Sequence, residues 1–255
     1  MGQLYPFITQ ESVITFLLLF IRFSSLFIFM PFFSHTQVPS FVKSGLATYF
    51  AILFYSIIPP VEIALESDVL IAAIISEATF GFVAGLLLSM VFAAVGFAGE
   101  QISMVMGLSM ASQFDPQTQQ SSQLISVFLS FFTLMVLLAS NGHHLMIEYI
   151  DYSLKQMPPG HFKLTHGYLE FIILSVKNIF LIGFTIAFPV MALSLLSDII
   201  FGMIMKTMPS FNLMVVGMPI KIILGVGVIM ATLGSLALIF KHQFTEVVNR
   251  LLLLL

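Results

Sequence analysis

No cysteine and no tryptophan occur among the 255 residues, and only 8% are charged. Without cysteine there is no disulfide, no thiol nucleophile and no Cys-type zinc or iron–sulfur site, so a metal would need His and carboxylate ligands. Without tryptophan, the aromatic belt that usually marks a lipid interface must rest on Tyr and Phe, a hint that much of the apolar surface meets protein. The 9 Lys+Arg against 12 Asp+Glu, a net charge of −3, create no basic field for nucleic acid. What is abundant is apolar: 59% of residues are hydrophobic. So few charges cannot coat a soluble globule, and the surplus must face lipid or another subunit. The class is an all-α integral membrane protein.

A window of about 19 residues finds six apolar segments, Val13 to Phe33, Phe41 to Ile58, Val69 to Ala98, Leu124 to Ala139, Leu169 to Leu196 and Leu213 to Phe240. The third, fifth and sixth exceed the roughly 20 residues that cross a bilayer, so they must tilt, break or leave the membrane plane. Pro189 is expected to divide the fifth, and Gly225 with Gly227 to loosen the sixth. Broken helices are tolerated where neighbouring protein or a water-filled cavity satisfies the freed backbone. No basic residue precedes Arg22, so a cleavable signal peptide is not expected. The loop charges Lys155, Lys163, Lys241 and Arg250 against Lys43 and Lys206 favour a cytoplasmic C-terminus.

The most unusual stretch is Gly99-Glu-Gln-Ile-Ser-Met-Val-Met-Gly107-Leu-Ser-Met-Ala-Ser-Gln-Phe-Asp115-Pro116. Small and polar residues here replace bulky aliphatics, and Asp115-Pro116 signals a turn. Its plain reading is a surface hairpin between spans. Met104, Met106, Met110 and Phe114 argue for another, since exposed hairpins seldom carry such a set and methionine repacks easily. A deformable apolar loop of this kind can close a passage and yield when something moves through.

Pro209, Gly217 and Pro219 introduce the last apolar run and are suited to turning two long helices into a hairpin. Asn141-Gly142-His143-His144 closes the fourth segment, but two adjacent histidines without further ligands make a poor ion site. No metal or cofactor is expected. Arg22, Glu77, Glu100, Lys177 and Lys221 lie in or beside apolar runs, where each needs a partner or water. A structural ion pair or a snorkelling chain is the commoner solution, and a proton relay the alternative. Gly81-x-x-x-Gly85 permits close helix approach without naming the partner. Signatures of hydrolases, zinc proteases, Walker loops and dinucleotide sites are missing, so the chain is not expected to be an enzyme.

Taken in order, Arg22, Pro31, Pro39 and Lys43, then Gly99-Glu100, Gly107 and Asp115-Pro116, then Asn141-Gly142-His143, Pro189, and Pro209 with Gly217-x-Pro219 resemble the FliR/SctT family of type III secretion export-gate subunits. The likeness covers nearly the whole chain. It implies a subunit of a bacterial inner-membrane export gate, at the flagellar basal body, assembled with FliP and FliQ subunits and adjoining FlhB. It also implies a hetero-oligomeric helical cone of long, broken, tilted hairpins, raised in part towards the periplasm. Residues 1–165 would form a FliP-like part with a pore loop at 99–123, and residues 166–255 a FliQ-like hairpin. Gly107, Asp115 and Pro116 match the family's pore-closing loop residue by residue, while Leu108, Met110 and Phe114 match in character. Unfolded secreted chains would pass this loop in transit. Two other readings stay open: a virulence-type paralogue of the same gate, and a secondary transporter with a midplane site made by broken helices. The second needs matching interrupted halves, and no convincing internal repeat is present.

Overall fold

The computed structural model describes residues 10–30, 39–61, 67–108, 124–208 and 212–255. Seven α-helices make up almost all of it: α1 (Gln10–Phe29), α2 (Ser40–Tyr55), α3 (Ser67–Val105), α4 (Leu124–Ala139), α5 (Gly142–Gln156), α6 (His166–Thr207) and α7 (Met218–Leu253), the last entered through a π-helical turn at Leu213–Gly217. The chain is thus an all-α membrane protein. Four described helices (α1, α3, α6, and α7 with its π-turn) are long and apolar enough to cross a bilayer, and α4 with α5 forms a fifth candidate bent by 66°.

This corrects the six-segment expectation. The run from Phe41 becomes α2, 16 residues long, stopped before Pro59-Pro60. A helix of that length falls short of a bilayer's roughly 20 residues. α5 was not foreseen, because its composition is mixed. Its burial nonetheless follows a helical stripe, Met146, Tyr149, Ile150, Ser153 and Leu154, with Glu148, Asp151 and Lys155 outside. The bend before it is made by Asn141, whose φ of 57° belongs to the left-handed region that Asn tolerates at helix ends. Pro189 does not divide its segment: α6 runs through it as one 42-residue helix. A single lost hydrogen bond in so long a helix is absorbed by its neighbours.

The contacts group into two compact units. The first takes residues up to Ser89, Gly142–Ile173 and Thr245–Leu255, and the second Met90–Asn141 and Leu174–Phe244. In the first unit α1 and α3 run parallel. Ile14 and Leu18 pack with Ala73, Arg22 meets Glu77, Ser25 faces Gly81 and Phe29 faces Gly85, so contacts climb both helices together at about one turn per step. Phe23 meets Phe50 and Phe54, and Phe27 meets Phe50, in tilted ring contacts that seat α2. In the second unit Phe97 lies edge-on to Phe180 and Phe184 at about 5 Å, and Phe92 edge-on to Phe240 at 5.0 Å, packing α3 against α6 and α7.

Candidate functional site

Two groups of residues stand out from this apolar scaffold: the end of α3 that leads into the unusual segment, and the ionisable side chains within the helices.

The first 7 residues of the stretch read as loop from Gly99 are helix, since α3 continues to Val105. Gly99 and Gly96 explain why small residues are needed there. A Cβ on Gly99 would lie 2.4 Å from the Ser126 Cα, and Ser126 Oγ donates to the Gly96 carbonyl at 3.1 Å, so α4 crosses α3 almost backbone to backbone. Met104 is 67% exposed, one turn beyond the exposed Glu100 on the same helix face. Met106 is fully buried, and its side chain fills the space left by Gly225 on α7. Gly107 adopts φ +80°, closed to most side chains, with Met218 Cε 2.8 Å from where a Cβ would stand. Leu108 is half-buried. Met110, Phe114, Asp115 and Pro116 lie outside the described residues.

Gly225 therefore serves close packing rather than looseness. A Cβ there would sit 2.8–2.9 Å from three atoms of Met106, whereas at Gly227 it would meet nothing. Gly225→Val is expected to lower the melting temperature of the solubilised protein by forcing Met106 out. Gly227→Ala should leave it unchanged or raise it, since alanine gains up to about 1 kcal/mol over glycine in a helix. Equal effects at the two positions would show that Met106 is not seated on α7.

Of the five intramembrane charges, two find each other. Arg22 and Glu77 are fully buried and form a two-pronged pair, Nε to Oε2 and Nη2 to Oε1, the latter at 2.8 Å. The guanidinium lies over the Phe80 ring, 4.7 Å from its centroid, and also donates to the Met157 carbonyl at 3.3–3.4 Å. Glu77 Oε1 accepts a further bond from the Gly160 N–H at 2.6 Å, presented by a backbone with φ +89°. The turn Met157-Pro-Pro-Gly160 thus closes the pair from the side of the α5–α6 connection. Sequence reading missed Met157 and Gly160 because they act through backbone atoms, although Pro158-Pro159-Gly160 announces a turn.

Lys221, 14% exposed, donates to both oxygens of Asp198 at 2.8 Å and so ties α7 to α6. Asp198 was also missed; the signal was an acid facing a lysine across the expected hairpin. At the start of the last helix, Gly217 ends the π-turn beside Leu213 and Phe201, and Pro219 stands in the first turn of α7. Pro209 lies outside the described residues. Glu100 and Lys177 are exposed, and neither has a partner among the described residues. The His143 and His144 rings lie 4.2 Å apart, and no group of three His, Asp or Glu gathers to hold a metal among the described residues.

Comparison with known proteins places this arrangement. The pattern of the family described as bacterial export proteins, family 1, matches residues 13–247. The flagellar biosynthetic protein FliR of Bacillus subtilis (strain 168) is 32% identical over 234 residues, which cover 90% of each chain. Proteins of the same name from Aquifex aeolicus (strain VF5) and Escherichia coli (strain K12) are 28% and 26% identical, over 93% and 96% of this chain and 92% and 95% of theirs.

Proposed function

From the premise that this chain belongs to the bacterial export proteins, family 1, and is a multi-pass membrane component of the flagellar export apparatus, we propose that it lines and seals the conduit through which unfolded flagellar proteins are secreted. It acts by passive closure, without catalysis. The segment from Met104 to Pro116 is the seal, its partners are FliP, FliQ and FlhB subunits, and the assembled cone stands partly on the periplasmic side. Residues 1–165 act as the FliP-like part and 166–255 as the FliQ-like hairpin.

What supports the reading most is the end of α3. The helix ends at Val105, one residue after an exposed Met104, Gly107 follows in a conformation that suits glycine, and the sequence beyond it carries Leu108, Met110 and Phe114 among small and polar residues. A constriction of such side chains excludes water when narrow and deforms when a polypeptide pushes through. The pore must be closed to ions between substrates, and soft apolar residues meet both demands.

Shortening the segment between Gly107 and Pro116 is expected to leave the complex assembled but leaky to ions and small solutes. Conductance or solute uptake in cells carrying the variant measures the leak, with complex abundance checked in parallel. An abundant complex that stays impermeable would overturn the sealing role and leave family membership untouched.

A further inference from the structure

α1 and α3 meet along a face whose shape does not by itself fix their level. Ala73, Glu77, Gly81 and Gly85 stand at every fourth position of α3, all of them buried, and Ser89 continues the row. Apart from Glu77 the row is small, a shallow groove on which Leu18, Ser25 and Phe29 of α1 are set. Sliding α1 by one turn would lay it on small residues again, with Phe29 at Gly81 in one direction and Ser25 at Gly85 in the other.

What the slide cannot preserve is the ion pair. At the observed level Arg22 meets Glu77, the Met157 carbonyl accepts from the guanidinium at 3.3–3.4 Å, and the Gly160 N–H donates to the carboxylate at 2.6 Å. α5 and the turn after it cover the same spot, Tyr149 stacked on Phe80 and Phe162 edge-on to it. One turn away Arg22 would face Ala73 or Gly81, and Glu77 would face Leu26 or Leu18, leaving two charges buried without a counter-charge. Both side chains are already fully buried within this chain, so no neighbour in an assembly alters that penalty.

We propose that the Arg22–Glu77 pair is a register key: it sets the level at which α1 stands against α3, and the α5–α6 turn reads that level through Met157 and Gly160. Choice of register is the best-attested use of a buried polar group. A one-turn error would displace every outward-facing residue of α1 by about 5.4 Å, so that a chain working among other export subunits would meet them out of step. The proposal does not depend on the sealing role.

The chain has no cysteine, so introduced thiols report the level directly. Phe29 and Phe82 face each other at the edge of the interface, ring centroids 4.8 Å apart. Phe29→Cys is combined with Phe82→Cys for the observed level, and with Ala78→Cys or Leu86→Cys for the two levels one turn away. Intrachain disulfides formed by mild oxidation of the assembled complex are counted by mass spectrometry. With the pair intact, links to position 82 should exceed those to positions 78 and 86 by at least about tenfold. Arg22→Met with Glu77→Ala makes the row small throughout, and should bring the shifted links to the same order as the native one while the complex still accumulates. Arg22→Gln with Glu77→Gln keeps hydrogen-bonding groups without charge, and should fall between. Shifted links as frequent as the native one with the pair intact would overturn the proposal. So would links confined to position 82 in both variants, because the glycines would then set the register unaided. Failure of both variants to accumulate would overturn it as well, by making the charges a requirement of folding itself. If only one accumulates, its shifted links decide in the same way.

Discussion

Arg22→Leu is expected to cost about 3–5 kcal/mol of stability, because it leaves the Glu77 carboxylate buried without its counter-charge. Arg22→Glu should be worse, since it sets a second carboxylate against Glu77 in a place no water reaches. The double variant Arg22→Leu with Glu77→Leu removes both charges and both desolvation costs, and should recover most of the loss. Recovery will be incomplete, because the Gly160 N–H and the Met157 carbonyl then lose their partners. The measurement is the amount and thermal stability of assembled complex for the two singles and the double. A double variant as poor as the sum of the singles would show that the pair is not coupled, contrary to the geometry.

The second large effect lies one turn away on the same interface. At Gly81 a Cβ would fall 1.8 Å from the Ser25 Oγ and 2.8 Å from the Leu26 backbone nitrogen, and at Gly85 2.5 Å from the Phe29 Cβ. Backbone cannot step aside as a side-chain tip can, so even Gly81→Ala must push α1 off α3. Overpacking of this kind costs about 1–3 kcal/mol, and here it also spreads the helices that hold Arg22 and Glu77 together. Gly81→Leu and Gly85→Leu should therefore abolish stable assembly, whereas Gly45→Leu, at a position with open space around it, should not. Ser25→Gly should partly relieve Gly81→Ala by removing the nearest obstacle. Full tolerance of leucine at Gly81, read as normal complex abundance, would mean that α1 and α3 do not cross there.

How much of this was written in the sequence depends on the kind of interaction. The membrane class and the long helices follow from apolar runs, which composition alone exposes. The Gly81-x-x-x-Gly85 spacing signalled a close crossing, but only the fold names α1 as the neighbour, because contacts 55 residues apart leave no local pattern. Arg22 and Glu77 were both legible as charges in need of partners, and that they satisfy each other was not. α5 was hidden, since its buried stripe includes Tyr149 and Ser153, which a hydropathy window does not score as apolar. Pro189 misled: helix-breaking strength is a local preference, and a long packed helix overrides it. Of the residues assigned to the proposed seal, Met104 is exposed and Gly107 stands at φ +80°, while Met106, expected in the same apolar group, packs at Gly225 instead.

The buried pair also imposes an order on the chain's birth. Arg22 is synthesised 55 residues before Glu77, and Glu77 another 83 before Gly160. At roughly 5–20 residues per second, the ribosome takes on the order of 3–10 s to deliver the first partner, and longer for the second. Throughout that interval the nascent α1 carries an unmatched guanidinium. Settling in hydrocarbon alone would cost it about 2.5–3.5 kcal/mol, a cost that pairing with Glu77 relieves once α3 emerges. The hydrogen bonds that complete the pair can form only after the α5–α6 turn has been synthesised.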